Sequence, residues 1–163
     1  MTNFSRIQTN ANQPFDANDI NNDAIDTDLP PADPAEEFRL GTPQSRSDSE
    51  SQQLAQTIAE AMDDRKGGDI AVLHVSDVSY VADYFVIATG FSNVQVRAIA
   101  RAIEDKVETQ WQQLPLRVEG FGEGSWVLMD YGDVIAHIFL PKEREFYSLE
   151  AFWGHADRVS FST

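Results

Sequence analysis

The sequence predicts an α+β fold in which helices cover one side of a mixed β-sheet, with elements in the order αββαβββα. Three observations predict it. Two segments repeat apolar residues at the helical period, several short runs are apolar or alternate as strands do, and glycine or proline separates most of them. Because the strands occur in groups between helices, a single sheet with packed helices is the economical arrangement.

Charge and proline content divide the chain near residue 50. Residues 1–50 hold ten acidic residues against three arginines, with five prolines and many asparagines, so we expect a disordered acidic arm. Residues 51–163 hold seventeen acidic and nine basic residues together with most of the apolar ones. This second part is long enough to form one domain with a real core.

The elements of the domain follow from apolar spacing. Apolar residues from Leu54 to Met62 recur at positions i, i+4, i+7 and i+8, which predicts a helix over residues 51–65. Ser92 and Gln95 form a capping-box pair that begins the second helix. The predicted strands cover residues 69–75, 83–89, 116–120, 125–130 and 133–140, and the last helix covers residues 143–153.

The composition narrows the classes of partner and site. A formal net charge of −15 opposes attachment to RNA or DNA and favours a basic protein as partner. The absence of cysteine excludes disulfides and thiolate zinc sites and is typical of a reducing compartment. No targeting segment or membrane-spanning run is recognised, so we expect a cytoplasmic protein that enters no membrane. From the negative charge we also expect no sequence-specific contact with nucleic acid.

Residues 126–140 predict a β-hairpin with a candidate binding face. With Tyr131 and Gly132 as a two-residue turn, Asp130 lies opposite Asp133, and two facing carboxylates are destabilising unless a cation completes the face. One side of the hairpin is aliphatic and suits a core. The other side is aromatic and acidic and carries Trp126, Leu128, Asp130, Asp133, Ile135, His137 and Phe139.

Two interpretations of the aromatic side stay open from the pattern alone. It docks a basic protein through rings of the kind enriched at binding hot spots, or its rings pack under the terminal helix and its aspartates are solvated turn residues. On the first interpretation the partner-binding residues are Trp126, Leu128, Asp130, Tyr131, Asp133 and His137.

Several strings occur in one order across residues 52–156, namely Ala82-Asp-Tyr-Phe-Val-Ile-Ala-Thr-Gly90, Gln95-Val-Arg-Ala-Ile-Ala100, Trp126-Val-Leu-Met-Asp-Tyr-Gly-Asp-Val134 and Glu143-Arg-Glu-Phe-Tyr-Ser-Leu-Glu150. Together they resemble the Iojap/RsfS family of ribosomal silencing factors. The resemblance implies a fold related to the nucleotidyltransferase architecture. It also implies binding to large-subunit ribosomal protein L-fourteen on the intersubunit face, which blocks subunit joining and represses translation.

The resemblance also suggests which residues contact the partner. The family's contact residues fall on Trp126, Asp130 and Tyr131, with Asp133 and His137 as neighbours, and the turn tyrosine is expected to expose its ring edge. No catalytic residue, metal or cofactor is implied. An aromatic face without its partner favours a homodimer of the free chain. The acidic arm lies outside the resemblance.

A nucleotide-handling enzyme is the alternative from another class. Residues 89–92 (Thr-Gly-Phe-Ser), between a strand and a helix, are a candidate phosphate-binding loop. No predicted strand of the domain carries the Asp-x-Asp pair that metal-dependent phosphoryl transfer uses. None of His74, His137 and His155 lies in a hydrolase motif. We therefore predict a binding factor and not an enzyme.

Overall fold

The computed structural model describes residues 38–161, so most of the predicted arm, residues 1–37, lies outside the described part of the chain, as do residues 162–163. The described part forms four helices and six strands. The helices are α1 (Asp48–Asp64), α2 (Asn93–Trp111), α3 (Pro141–Tyr147) and α4 (Leu149–Phe152). The strands are β1 (Gly68–His74), β2 (Tyr84–Thr89), β3 (Arg117–Glu119), β4 (Trp126–Asp130), β5 (Val134–Phe139) and β6 (Asp157–Val159).

The predicted α+β class and order of elements are confirmed, with two differences at the C-terminal end. The last predicted helix is two short helices, because Ser148 adopts a left-handed conformation with a φ of 43° and ends α3. A sixth strand, β6, then pairs with β1. Its three residues are too few and too polar to indicate a strand from sequence alone.

The described strands form one mixed sheet in the order β3-β4-β5-β2-β1-β6. β2 and β5 lie in parallel at its centre, and the other neighbouring pairs are antiparallel. Every residue of the two central strands is buried. α1 and α2 cover one face of the sheet and form the main core with it. Burial on both faces explains why β2 is almost entirely apolar.

The β4–β5 hairpin has a different register from the predicted one. Asp130 lies opposite Ile135 and not opposite Asp133, so the predicted pair of facing carboxylates is wrong. The turn residues are Gly132 and Asp133, and the Tyr131 N–H closes the turn with a hydrogen bond of 2.9 Å across the hairpin. Gly132 has a φ of 94°, which suits glycine at the first turn position. Because the shift is two residues, the strand side chains keep their predicted faces.

Residues 38–47 form a strap that precedes α1 and packs on the domain. Phe38 meets Phe121 edge to face, with ring centroids 4.9 Å apart. The Gly41 N–H donates to the Pro115 carbonyl at 2.9 Å. The folded domain therefore begins before the predicted boundary, and the end of the predicted arm belongs to it.

Arg46 fastens the end of the strap to the hairpin turn. Its side chain is only 5% exposed and forms an ion pair with Asp133, whose other carboxylate oxygen accepts a hydrogen bond from Ser51 on α1. Ser47 caps α1 in a capping box completed by Glu50. One mostly buried charge pair thus joins the strap, the turn and the first helix.

We expect Arg46→Met to lower the free energy of unfolding by about 3 kcal/mol, because it leaves the partly buried Asp133 carboxylate without its cation. Urea denaturation followed by circular dichroism measures the change. The matched control is Arg39→Met in the same strap. Arg39 is 70% exposed in its ion pair with Glu108, where solvent screens the attraction, so its loss should leave the free energy of unfolding almost unchanged. Equal losses would contradict the assignment of Arg46 as a buried anchor.

Candidate protein-binding face

A second, smaller apolar cluster lies on the sheet face opposite α1 and α2. Leu149 and Trp153, in and after α4, pack against it, and Trp126 and Leu128 of β4 lie half-buried at its margin. This margin is therefore partly open to solvent. The buried members of the cluster are Leu73, Val75, Ala82, Phe85, Ile87, Ile135 and Phe139.

Trp126 is the centre of an aromatic group at this margin. Its indole stacks on Phe139 with ring centroids 4.9 Å apart, and the centroid of the Tyr147 ring of α3 lies 4.5 Å from that of the indole. Phe146 meets Tyr147 edge to face at 5.1 Å and is 80% exposed. The aromatic surface predicted on the hairpin thus extends onto α3. We term it the β4–α3 face, which consists of Trp126, Leu128, Asp130, Phe146 and Tyr147.

The strand alternation that predicts the site does not include Phe146 and Tyr147, because they follow the hairpin in a helix. A signal was nevertheless present. Neighbouring residues of a helix point about 100° apart, so two consecutive aromatic residues spread over a wide arc of its surface. This spread favours the exposure of at least one of the two rings.

Arg144 fixes α3, and with it the two exposed rings, to the sheet. Its guanidinium donates to the Glu150 carboxylate at 3.0 Å, to the Thr89 hydroxyl at 2.9 Å and to the Gly68 carbonyl at 3.3 Å. Burial raises the pKa of Glu150, but the hydrogen bonds from Arg144 outweigh this effect, so the pKa lies below its ordinary value. A planar arginine fork shared among three partners holds the helix in one position.

The chain enters β4 through a close approach that requires glycine. Gly120, just after β3, has a φ of 80°, and a Cβ atom there would lie 2.0 Å from the Trp126 carbonyl oxygen. Any side chain would displace the first residue of β4, and the indole would move with it.

Asp130 lies at the opposite end of β4 from Trp126. Its carboxylate accepts a hydrogen bond from the Gly132 N–H at 2.7 Å, which supports the turn, and lies 3.8 Å from the Arg117 guanidinium. The side chain stays 22% exposed. Asp130 therefore stabilises the hairpin and leaves a partly exposed carboxylate on the same side of β4 as Trp126, at the other end of the strand.

Two of the predicted contact residues are turned away from this face. Tyr131 is completely buried in the main core, because it shares the side of β4 that carries Val127 and Met129. Burial raises the pKa of its phenol. Asp133 is bound to Arg46 of the strap. The exposed positions expected for Tyr131 and Asp133 are therefore wrong.

His137 lies beside the indole and is 5% exposed. Its Nδ1 accepts a hydrogen bond from the Trp126 Nε1–H at 3.2 Å, and its ring meets Phe85 edge to face at 5.1 Å. Burial lowers the pKa of the imidazole to about 4, so the ring is neutral at physiological pH. His137 therefore supports the face from inside and is almost inaccessible to a partner.

The candidate phosphate-binding loop, residues 89–92, uses its amides within the fold. The Gly90 N–H donates to a β5 carbonyl at 2.8 Å, and the Phe91 N–H donates to the Gln95 side chain at 2.8 Å. Ser92 accepts from the Gln95 N–H at 3.0 Å and caps α2. The predicted capping box is only half formed, because the Gln95 amide bonds to Phe91 and not to Ser92.

The remaining predictions concern the other two histidines, metal sites and membrane-spanning helices. His74 lies 2.7 Å from the Ser76 hydroxyl and stacks on Tyr84, while His155 is exposed. Residues 38–161 contain no group of three or more histidine and carboxylate side chains that could hold a metal ion. Over the same range, none of the helices has the length and apolar character needed to cross a bilayer.

The domain matches a known family along most of its length. The family model described as "Ribosomal silencing factor during starvation" (RsfS) matches residues 48–163. The ribosomal silencing factor RsfS of Bacillus subtilis is 47% identical over 98 residues, which cover 60% of this chain and 82% of that protein. The RsfS of Halalkalibacterium halodurans is 39% identical over 108 residues, which cover 66% and 92% respectively.

Solved structures share the fold. The crystal structure of a protein from Chromobacterium violaceum matches with a TM-score of 0.61 and 37% identity, covering 69% of this chain and 92% of that one. The residues matched by the family model begin with α1 and include the whole β4–α3 face. This chain belongs to the RsfS family of ribosomal silencing factors.

Proposed function

We propose that this chain represses translation by binding the large ribosomal subunit through ribosomal protein L-fourteen and sterically blocking the small subunit. The observation that carries the proposal is the partly exposed aromatic surface of the β4–α3 face, because tryptophan and tyrosine rings are enriched at binding hot spots. Steric exclusion needs occupancy and no chemistry, so no catalytic residue or cofactor is required. The protein would act in the cytoplasm, where the subunits join.

The charge of the chain favours a basic protein surface as its partner. Asp130 presents a partly exposed carboxylate on the same side of β4 as Trp126, and Glu119 and Glu145 are exposed on the flanking β3 and α3. A net charge of −15 is repelled by ribosomal RNA and attracted by a basic ribosomal protein. The acidic surroundings should therefore speed association and direct it to the protein component of the subunit.

We expect Phe146→Ala to weaken binding to isolated large subunits about tenfold and Trp126→Ala about thirtyfold, because each removes aromatic area from the contact. Co-sedimentation of the chain with large subunits through a sucrose cushion gives the affinities. Phe146 is 80% exposed, so its truncation tests the face without opening the core.

The matched control for these variants is Val94→Ala. Val94 is 72% exposed on α2, on the other side of the sheet, so its truncation should leave the affinity unchanged. Wild-type affinity in both aromatic variants would rule out this face as the contact. Because an open aromatic surface favours self-association, sedimentation of each free variant reports whether a homodimer competes for the same face.

Steric exclusion predicts stoichiometric inhibition of subunit joining. When small subunits are added to large subunits preincubated with the chain, light scattering should fall in proportion to the occupied fraction, with no nucleotide added. Trp126→Ala should need a higher concentration, in proportion to its loss of affinity. Inhibition at far less than one chain per large subunit, or only in the presence of a nucleotide, would favour the alternative enzyme that uses residues 89–92.

A further inference from the structure

A hydrogen bond from Trp126 to His137 sets the direction of the indole. The indole Nε1–H donates to Nδ1 of the imidazole over 3.2 Å, from the first residue of β4 to the fourth residue of β5. Since the indole nitrogen can only donate, Nδ1 must be the unprotonated ring nitrogen and the proton must lie on Nε2. The pair therefore specifies one tautomer of the histidine.

The surroundings of His137 keep it in that neutral form. The residue is 5% exposed, and the centroids of the Phe85 and Phe139 rings lie 5.1 Å and 6.0 Å from its own. Burial of this kind disfavours the charged imidazolium, so the acceptor for the indole is present at neutral pH. The Nε2 atom is buried and has no hydrogen-bond partner among the described residues.

That unpartnered donor makes histidine a poor choice for stability alone. A buried N–H without an acceptor has lost its hydration and gained nothing in exchange, whereas a leucine at position 137 would bury only carbon. Leucine, however, offers no acceptor to the indole N–H. The advantage of His137 over an aliphatic residue therefore lies in what it does to Trp126.

The direction of the indole decides what a partner would meet. Its N–H edge is turned inward to His137, and its ring lies beside Phe139 and Tyr147, so the part left open to solvent is carbon. A side chain held in one orientation before docking loses less conformational entropy on binding. Fixing this ring in advance therefore raises affinity without adding a contact.

We propose that His137 is a positioning residue of the β4–α3 face, which holds the Trp126 indole in its docking orientation through the hydrogen bond to Nδ1. The inference rests on the proposed function, because it assumes that the indole contacts the large subunit. His137 itself does not touch the partner.

A matched pair of substitutions separates positioning from packing. Asparagine and leucine have nearly the same shape, but the Oδ1 of asparagine can take the place of Nδ1 as acceptor. We expect His137→Leu to weaken binding to isolated large subunits about tenfold and His137→Asn by no more than about threefold. The unfolding temperature of His137→Leu should nevertheless be higher than that of His137→Asn, since leucine is the better core residue.

A double-mutant cycle isolates the hydrogen bond. Trp126→Phe keeps an aromatic ring but removes the N–H, so in this background His137→Leu and His137→Asn should bind equally well. Nitrogen NMR of the free wild-type chain at neutral pH should show His137 protonated on Nε2 and unprotonated on Nδ1. If His137 only filled space, Trp126→Phe would not abolish the difference in affinity between the two His137 variants, and the imidazole would show no fixed tautomer.

The outcomes distinguish the two proposals. Equal affinities of His137→Leu and His137→Asn in the chain that retains Trp126, or a proton on Nδ1, would overturn the positioning role. Wild-type affinity of Trp126→Ala would remove the indole as a contact and the positioning role with it, and wild-type affinity of Phe146→Ala as well would overturn the proposed face. A weakened Trp126→Ala beside an unaffected His137→Leu removes the positioning role alone and leaves the proposed function standing.

Discussion

The pairing of β5 with both of its neighbours is the constraint on which the rest of the structure depends. β5 runs parallel to β2 and antiparallel to β4, and all its residues are buried between two layers of side chains. A slip of one residue in the hairpin would exchange the aliphatic and aromatic sides of β4. The register therefore decides at once where the main core lies and on which face Trp126 and His137 meet.

Two mostly buried arginines close the domain around this hairpin. Arg46 joins the strap to the turn at one end of β4, and Arg144 joins α3 to the ends of β1 and β2 near the other. A buried charge contributes to stability only when directed partners replace its lost hydration, and each guanidinium group is paired with a carboxylate, Arg46 with Asp133 and Arg144 with Glu150. The turn and the aromatic group are thereby held at fixed positions along one strand.

The candidate site was predictable where it follows from the alternation of a strand and unpredictable where it depends on the turn. Trp126, Leu128 and Asp130 share a face because successive residues of any strand point to opposite sides. Tyr131 and Asp133 lie within one residue of the turn, and their directions depend on which residues form it. Gly132 correctly predicts a turn, but it does not show whether Tyr131 or Asp133 is the other turn residue.

The sequence by itself determined the α+β class, the order of the elements and the two faces of the hairpin, because these follow from local periodicity and from the geometry of the backbone. Only the tertiary structure decided that Asp133 binds Arg46, a partner 87 residues away, and that Phe146 and Tyr147 extend the aromatic surface. Contacts of this kind form between segments that are distant in the chain and meet only once the sheet has assembled, so no local pattern encodes them.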